Sequence, residues 1–202
     1  NADWNVLVAN GKTLNVYGAL NSSGRTITVG GEGFSGTLVL NNAANASMTA
    51  EWVITSGSTV KCMNNSALGS GLVTLDGGTL DFNSQTIGST ITLNMSGTGT
   101  LQNVTVDGAI LSYTSSSGND GITASNTTWT SGKIDIGRLL QGFSAEGSNT
   151  VDLGAELGEG FSVLGLDTGQ YRIEGSVLTI EDGAISCLLY TSPSPRDKRQ
   201  SR

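Results

Sequence analysis

The chain has 202 residues, a formal net charge of −7 and no histidine. An acidic protein repels phosphate backbones, so we expect no nucleic-acid partner. Without imidazole, Ser-His-Asp triads and most zinc sites are excluded. Gly, Ser, Thr and Asn make up close to half of the residues. The apolar residues nevertheless gather in short β-branched clusters, which favours a folded β protein over a disordered one.

Strand-like runs recur about every 10–12 residues and are separated by Gly, Asn, Ser or Asp. Many alternate apolar and polar residues, the pattern of a strand with one buried face. The runs are 13–18, 26–31, 37–42, 51–57, 72–78, 79–83, 90–97, 100–108, 109–113, 133–137, 150–154, 170–175 and 177–183. None approaches the length of an apolar membrane span, so we expect no transmembrane segment.

The segments "VTLDGGTLDF" (73–82) and "VTVDGAILSY" (104–113) share one strand–Gly turn–strand pattern. Such an internal repeat favours a β-solenoid, whose coils stack with parallel strands and ladders of Thr, Ser and Asn. The alternative is an antiparallel sandwich, in which Asp76-Gly77 and Asp107-Gly108 form hairpin turns.

The stretch 31–83 resembles the autotransporter passenger-associated strand repeat. The matching elements are Gly31, Gly33, Phe34, Gly36, the "TLVL" run 37–40 and the segment "ALGSGLVTLDGGTLDF" (67–82). The resemblance implies an all-β, right-handed parallel β-helix in a secreted or surface-displayed bacterial protein. We expect this fold from about 13 to 183, with inward side chains at Leu14, Val16, Leu38, Leu40, Val73, Leu75, Leu80 and Val106.

The chain ends differently from the rest. Both prolines and four of the ten basic residues lie in 187–202, and residues 1–186 hold sixteen acids and six bases, a net charge of −10. The segment "CLLYTSPSPRD" (187–197) resembles one translation frame of a transposase adapter used in DNA library preparation. We therefore predict a β-helix region at 1–186 and a non-native, disordered, adapter-derived tail at 187–202. We also expect 1–186 to be a piece of a longer protein, without its signal peptide and anchor.

Few residues offer catalytic chemistry. Asp76, Asp81 and Asp107 are the best carboxylate candidates, although Asp before Gly commonly shapes a turn. Lys61 and Arg138 have no acidic partner nearby in sequence. We therefore predict no catalytic, cofactor-binding or metal-binding residues and no enzyme activity. Cys62, the only cysteine outside the tail, is typical of a small buried side chain.

Two functions remain open. The first, which the sequence favours, is a structural or adhesive region displayed on the outer cell surface or secreted. Its partners would be extracellular glycans or host or cell-surface proteins. The second is a carbohydrate-binding or carbohydrate-degrading β-helix, which needs Asp76, Asp81 and Asp107 to converge beside an exposed aromatic residue. Trp4, Tyr17, Trp52, Tyr113 and Trp129 are spread along the chain, a distribution that favours isolated packing over a sugar-stacking stripe.

Overall fold

A computed structural model describes most of the chain, namely residues 3–41, 44–113, 121–135, 148–154, 156–182 and 184. The predicted tail at 187–202, its boundary at 186 and Arg138 lie outside the described residues.

The regular secondary structure of the described residues is almost all strand. A 3₁₀ turn is formed by Ala44–Ser47. The strands are β1 (Trp4–Val6), β2 (Thr13–Val16), β3 (Thr26–Val29), β4 (Thr37–Leu40), β5 (Glu51–Thr55), β6 (Thr59–Cys62), β7 (Gly71–Asp76), β8 (Thr79–Ile87), β9 (Ile91–Met95), β10 (Thr98–Tyr113), β11 (Gly121–Asp135), β12 (Asn149–Asp152), β13 (Gly160–Leu164), β14 (Tyr171–Glu174) and β15 (Val177–Ile180).

The strands stack in two parallel columns. The first column is β1, β3, β5, β7, β9, the second half of β10, the second half of β11, and β13. The second column is β2, β4, β6 and the first parts of β8, β10 and β11. The chain alternates between the columns, so each pair of strands forms one coil lying on the coil before. The result is a β-solenoid of about five turns, which confirms the predicted fold class.

From β8 onward the strands continue past a corner. Residues 85–87, 104–106 and 127–129 therefore pair with one another and form a third face. The side chains of Ile87, Val106 and Trp129 on this face are buried.

Alternation along each strand builds the core. Every second side chain points inward, and register places these side chains over one another from coil to coil. In the second column the buried row is Leu38, Val60, Leu80 and Leu101. In the first column it is Ile27, Trp52, Val73, Leu93, Leu111, Ile134 and Val163.

The predicted inward residues are buried with two exceptions. Leu14 is 45% exposed, so its predicted burial is wrong, and Val16 is partly buried against the core. Leu14 lies in register with Leu38, and among the described strands β2 pairs only with β4. The direction of Leu14 was therefore predicted correctly, but no described coil covers it.

The last strands depart from the prediction. β12, β15 and β14 form a separate three-stranded sheet with antiparallel pairing. The predicted parallel β-helix from 13 to 183 is therefore wrong for these three strands, whereas β13 joins the first column in parallel. Leu153, Leu178 and Ile180 from this sheet region bury their side chains in the common core.

The Asp-Gly pairs are corners of the solenoid. Gly77 and Gly108 have φ of 75° and 90°, values that glycine adopts without a Cβ penalty. β7 and β8 do not pair with each other, and instead each stacks in parallel on the neighbouring coils. The antiparallel-sandwich alternative is therefore excluded.

Candidate functional site

The three candidate carboxylates lie at different places in the solenoid. Asp76 is exposed and ends β7, where the first-column strands finish. Asp107 is exposed at the opposite end of that column, before the strand begins, and it accepts a hydrogen bond from Ser131 Oγ at 2.6 Å. Asp81 is buried in the second column. The convergence that a carbohydrate-degrading site needs does not arise from this register.

Asp81 accepts three hydrogen bonds and faces one ammonium group. Its Oδ1 accepts hydrogen bonds from the Asn83 backbone N–H at 2.8 Å and from Asn103 Nδ2 at 3.0 Å. Its Oδ2 accepts one from Gln102 Nε2 at 3.1 Å and lies 3.9 Å from Lys61 Nζ. Burial acts to raise the pKa of the Asp81 carboxyl, but the hydrogen bonds and the ammonium outweigh burial and lower it. The carboxylate is thus ionised and accepts three hydrogen bonds, the environment of a structural group rather than a proton-transfer group.

At the corner beside Asp81, asparagines of successive coils lie over one another, and we call them the asparagine ladder. Asn83, Asn103 and Asn126 have φ of 49°, 53° and 52°, in the left-handed region that Asn tolerates better than most residues. Asn126 Nδ2 donates to Asn103 Oδ1 at 2.9 Å, which continues the chain of bonds that starts at Asp81. The ladder fixes the bend at which the second column turns into the third face.

Lys61 is the residue that the sequence analysis missed. It has no acidic partner nearby in sequence, but β6 and β8 place it in register with Asp81, twenty residues further on. A signal was present in the strands "TVKC" (59–62) and "TLDF" (79–82), which put Lys and Asp at the same position. Only the coil length was needed to pair them.

The outer face of the second column carries a row of equivalent residues, which we call the threonine row. Its members are Thr13, Thr37, Thr59, Thr79, Thr100 and Thr123, each in register with the next. Two residues further along the same strands lies a parallel row, which we call the mixed row. Its members are Asn15, Val39, Lys61, Asp81, Gln102 and Ser125.

In the described part of the chain, the hydroxyls of the threonine row have no hydrogen-bond partner. Elsewhere the hydroxyls of Thr55, Ser58 and Thr130 donate to backbone carbonyl oxygens of other coils at 3.0–3.1 Å. The four central threonines are half-exposed and the two outer ones are exposed. The row therefore offers hydrogen-bonding groups to solvent or to a ligand.

Of the five aromatic residues predicted to pack singly, Trp52 and Trp129 are buried, whereas Trp4 and Tyr17 are not. Trp52 is 1% exposed inside the first column. Trp129 is buried on the third face, with its ring centroid 5.7 Å from that of Phe161 and the planes tilted by 54°. Trp4 and Tyr17 are exposed on the first coil, and the side chain of Tyr113 lies outside the described residues.

Cys62 is buried in register with Leu40, as predicted for a small core side chain. Burial, followed by the negative charge of Asp81, raises the pKa of its thiol. Over the described ranges, no group of three or more Cys, Asp and Glu side chains is placed to hold a metal ion.

The fold and its outer rows define a β-solenoid protein with repeating polar faces. No family model, curated protein or solved structure matches the chain. The autotransporter-repeat resemblance of 31–83 thus stays a prediction. No helix among the described residues is long and apolar enough to cross a membrane.

Proposed function

We propose that this chain is an adhesive or structural passenger region of a bacterial protein, secreted or displayed on the outer cell surface, and that it performs no catalysis. The observation that carries the proposal is the threonine row. One polar side chain recurs at the same place in six successive strands of the second column. A surface that repeats itself along a stiff stack suits extended contact with another surface better than it suits turnover of one small substrate.

The placement of the carboxylates supports a function without catalysis. Hydrolysis of a glycosidic bond ordinarily needs two carboxyl groups facing one bond. Asp76 and Asp107 lie at opposite ends of the first column, and Asp81 is buried under its own donors. The lowered pKa of Asp81 also opposes a role as general acid, which requires a raised pKa.

The autotransporter resemblance supports the proposed location. The segments "TLVL" and "ALGSGLVTLDGGTLDF" that carry it form β4, β7 and the beginning of β8, which stack as solenoid coils. In a passenger of this kind the coils hold the functional surface away from the cell.

A display assay tests the proposal. The full chain is fused to a surface carrier on a non-adherent bacterium, and cells retained on host epithelium and on immobilised extracellular glycans are counted. We expect more retention than with the carrier alone, and loss of this gain with Leu80→Asp, which puts a charge into the core. Equal retention by wild type and carrier, with folded protein detected on the cells, would contradict the adhesive role.

Catalysis is tested separately on the purified chain. We expect no reducing ends to be released from polysaccharides. Release that disappears in Asp81→Asn would establish the carbohydrate-degrading alternative instead.

A further inference from the structure

The threonine row has a fixed period. Neighbouring parallel strands lie about 4.7–4.9 Å apart, so six residues in register place six hydroxyls along about 24 Å. No register shift interrupts the pairing across these six positions. Because the hydroxyls have no partner among the described residues, all six are free to bond the same ligand.

A ligand can use six equivalent groups only if it repeats with nearly the same period. Small molecules and folded protein surfaces meet one or two positions of such a row. A linear polysaccharide in an extended conformation advances by a similar distance per sugar ring and carries hydroxyls on every ring. Lying along the stack, such a chain would meet one threonine per sugar over several consecutive sugars.

The mixed row indicates which kind of ligand fits. Beside the threonines it presents Asn15, Gln102 and Ser125, together with Lys61, whose side chain is 35% exposed. Amide, hydroxyl and ammonium groups bond sugar hydroxyls. An ice surface is the other periodic ligand, and it favours a uniform and uncharged face. The mixed row, which contains Lys61 and Asp81, does not provide such a face.

Charge decides between neutral and acidic polysaccharides. Residues 1–186 carry a net charge of −10. The ammonium of Lys61 is already paired with the Asp81 carboxylate. A polyanion would be repelled by the body of the protein. A neutral chain meets no such penalty.

We propose that the outer face of the second column binds a neutral, extended, linear polysaccharide whose axis runs along the stack, with the threonine row as the repeated contact. The proposal rests on the proposed adhesive function and names the ligand class of that function.

The test is electrophoresis of the full chain through native gels containing hydroxyethylcellulose, xylan or, for comparison, polygalacturonate. The variant is Thr59→Val with Thr79→Val, which keeps the β-branched shape and removes two hydroxyls. The matched control is Thr86→Val with Thr105→Val on the third face, where the same residue type also stacks in register. Circular dichroism checks that both variants keep the β fold.

We expect retardation by at least one neutral polysaccharide, about fivefold or more weaker binding in the Thr59/Thr79 variant, and an unchanged control. Absence of retardation, equal retardation of both variants, or stronger retardation by polygalacturonate would overturn the proposal. Inhibition of ice growth that is lost in the Thr59/Thr79 variant would overturn it in favour of an ice surface. Cells that adhere in the display assay while the chain binds no polysaccharide would leave the adhesive function standing and remove this inference alone.

Discussion

Replacing Asp81 tests the hydrogen-bond network at the corner between the second column and the third face. In Asp81→Ala, Asn83, Asn103 and Gln102 each lose a hydrogen bond to a charged acceptor. Such bonds contribute about 1.5–3 kcal/mol each. All three donors are partly exposed and can bond water instead, and Lys61, whose side chain is 35% exposed, adds little. We therefore expect the free energy of unfolding to fall by about 2–4 kcal/mol, measured by urea denaturation with tryptophan fluorescence.

The pH dependence follows from the lowered pKa of Asp81. The unfolded carboxyl titrates near 3.9. The stabilisation is fully present above that pH and is lost as the pH falls through the still lower pKa of the folded state. The difference in the free energy of unfolding between wild type and Asp81→Asn should therefore be constant near neutral pH and become smaller below about pH 4.

The control is Asp76→Asn, an exposed carboxylate that should change stability by less than about 0.5 kcal/mol. An Asp81→Ala variant as stable as wild type at pH 7 would refute the reasoning, as would a difference between wild type and Asp81→Asn that does not become smaller in acid.

Three further predictions concern packing and the end of the chain. Gly78→Ala should lower the free energy of unfolding by about 1–3 kcal/mol, because its Cβ would lie 2.5 Å from the backbone oxygen of Ile54. Gly18→Ala, with open space around it, should be neutral by the same urea titration. Deleting 187–202 should leave the melting temperature nearly unchanged in calorimetry, since this segment resembles a translated adapter, and a large drop would contradict that origin. In the shortened chain, Cys62 is the only cysteine, and thiol reagents should label it in denaturing urea but not in buffer; rapid labelling in buffer would contradict its burial.

Sequence predicted the strands well because alternation and Gly corners are local features. It could not predict which strands have a neighbouring coil packed on both sides. Leu14 points inward like Leu38 but is exposed, since the pattern gives the direction of a side chain and not the presence of a neighbouring coil. The antiparallel pairing of β14 with β15 was missed for a related reason, because alternation is the same in parallel and antiparallel strands.

The candidate site depended on register, which single strands do not specify. Lys61 and Asp81 meet only because the coil between them is twenty residues long. The left-handed conformations of Asn83, Asn103 and Asn126 carried no strong signal either, since Asn is abundant throughout the chain. The threonine row was visible as a repeated "T" at the start of many strands, but its alignment required the stack.

The register of the second column is the claim on which both the site and its proposed ligand rest. The register is measured by electron–electron distances between two nitroxide labels in a Cys187→Ser background. One label is at Thr13→Cys and the other at Thr59→Cys, Thr100→Cys or Thr123→Cys. These pairs are two, four and five strand steps apart. We expect the label distances to rise with the number of steps, following backbone separations of about 10, 19 and 24 Å. Separations that do not increase in this order would contradict the stacked solenoid.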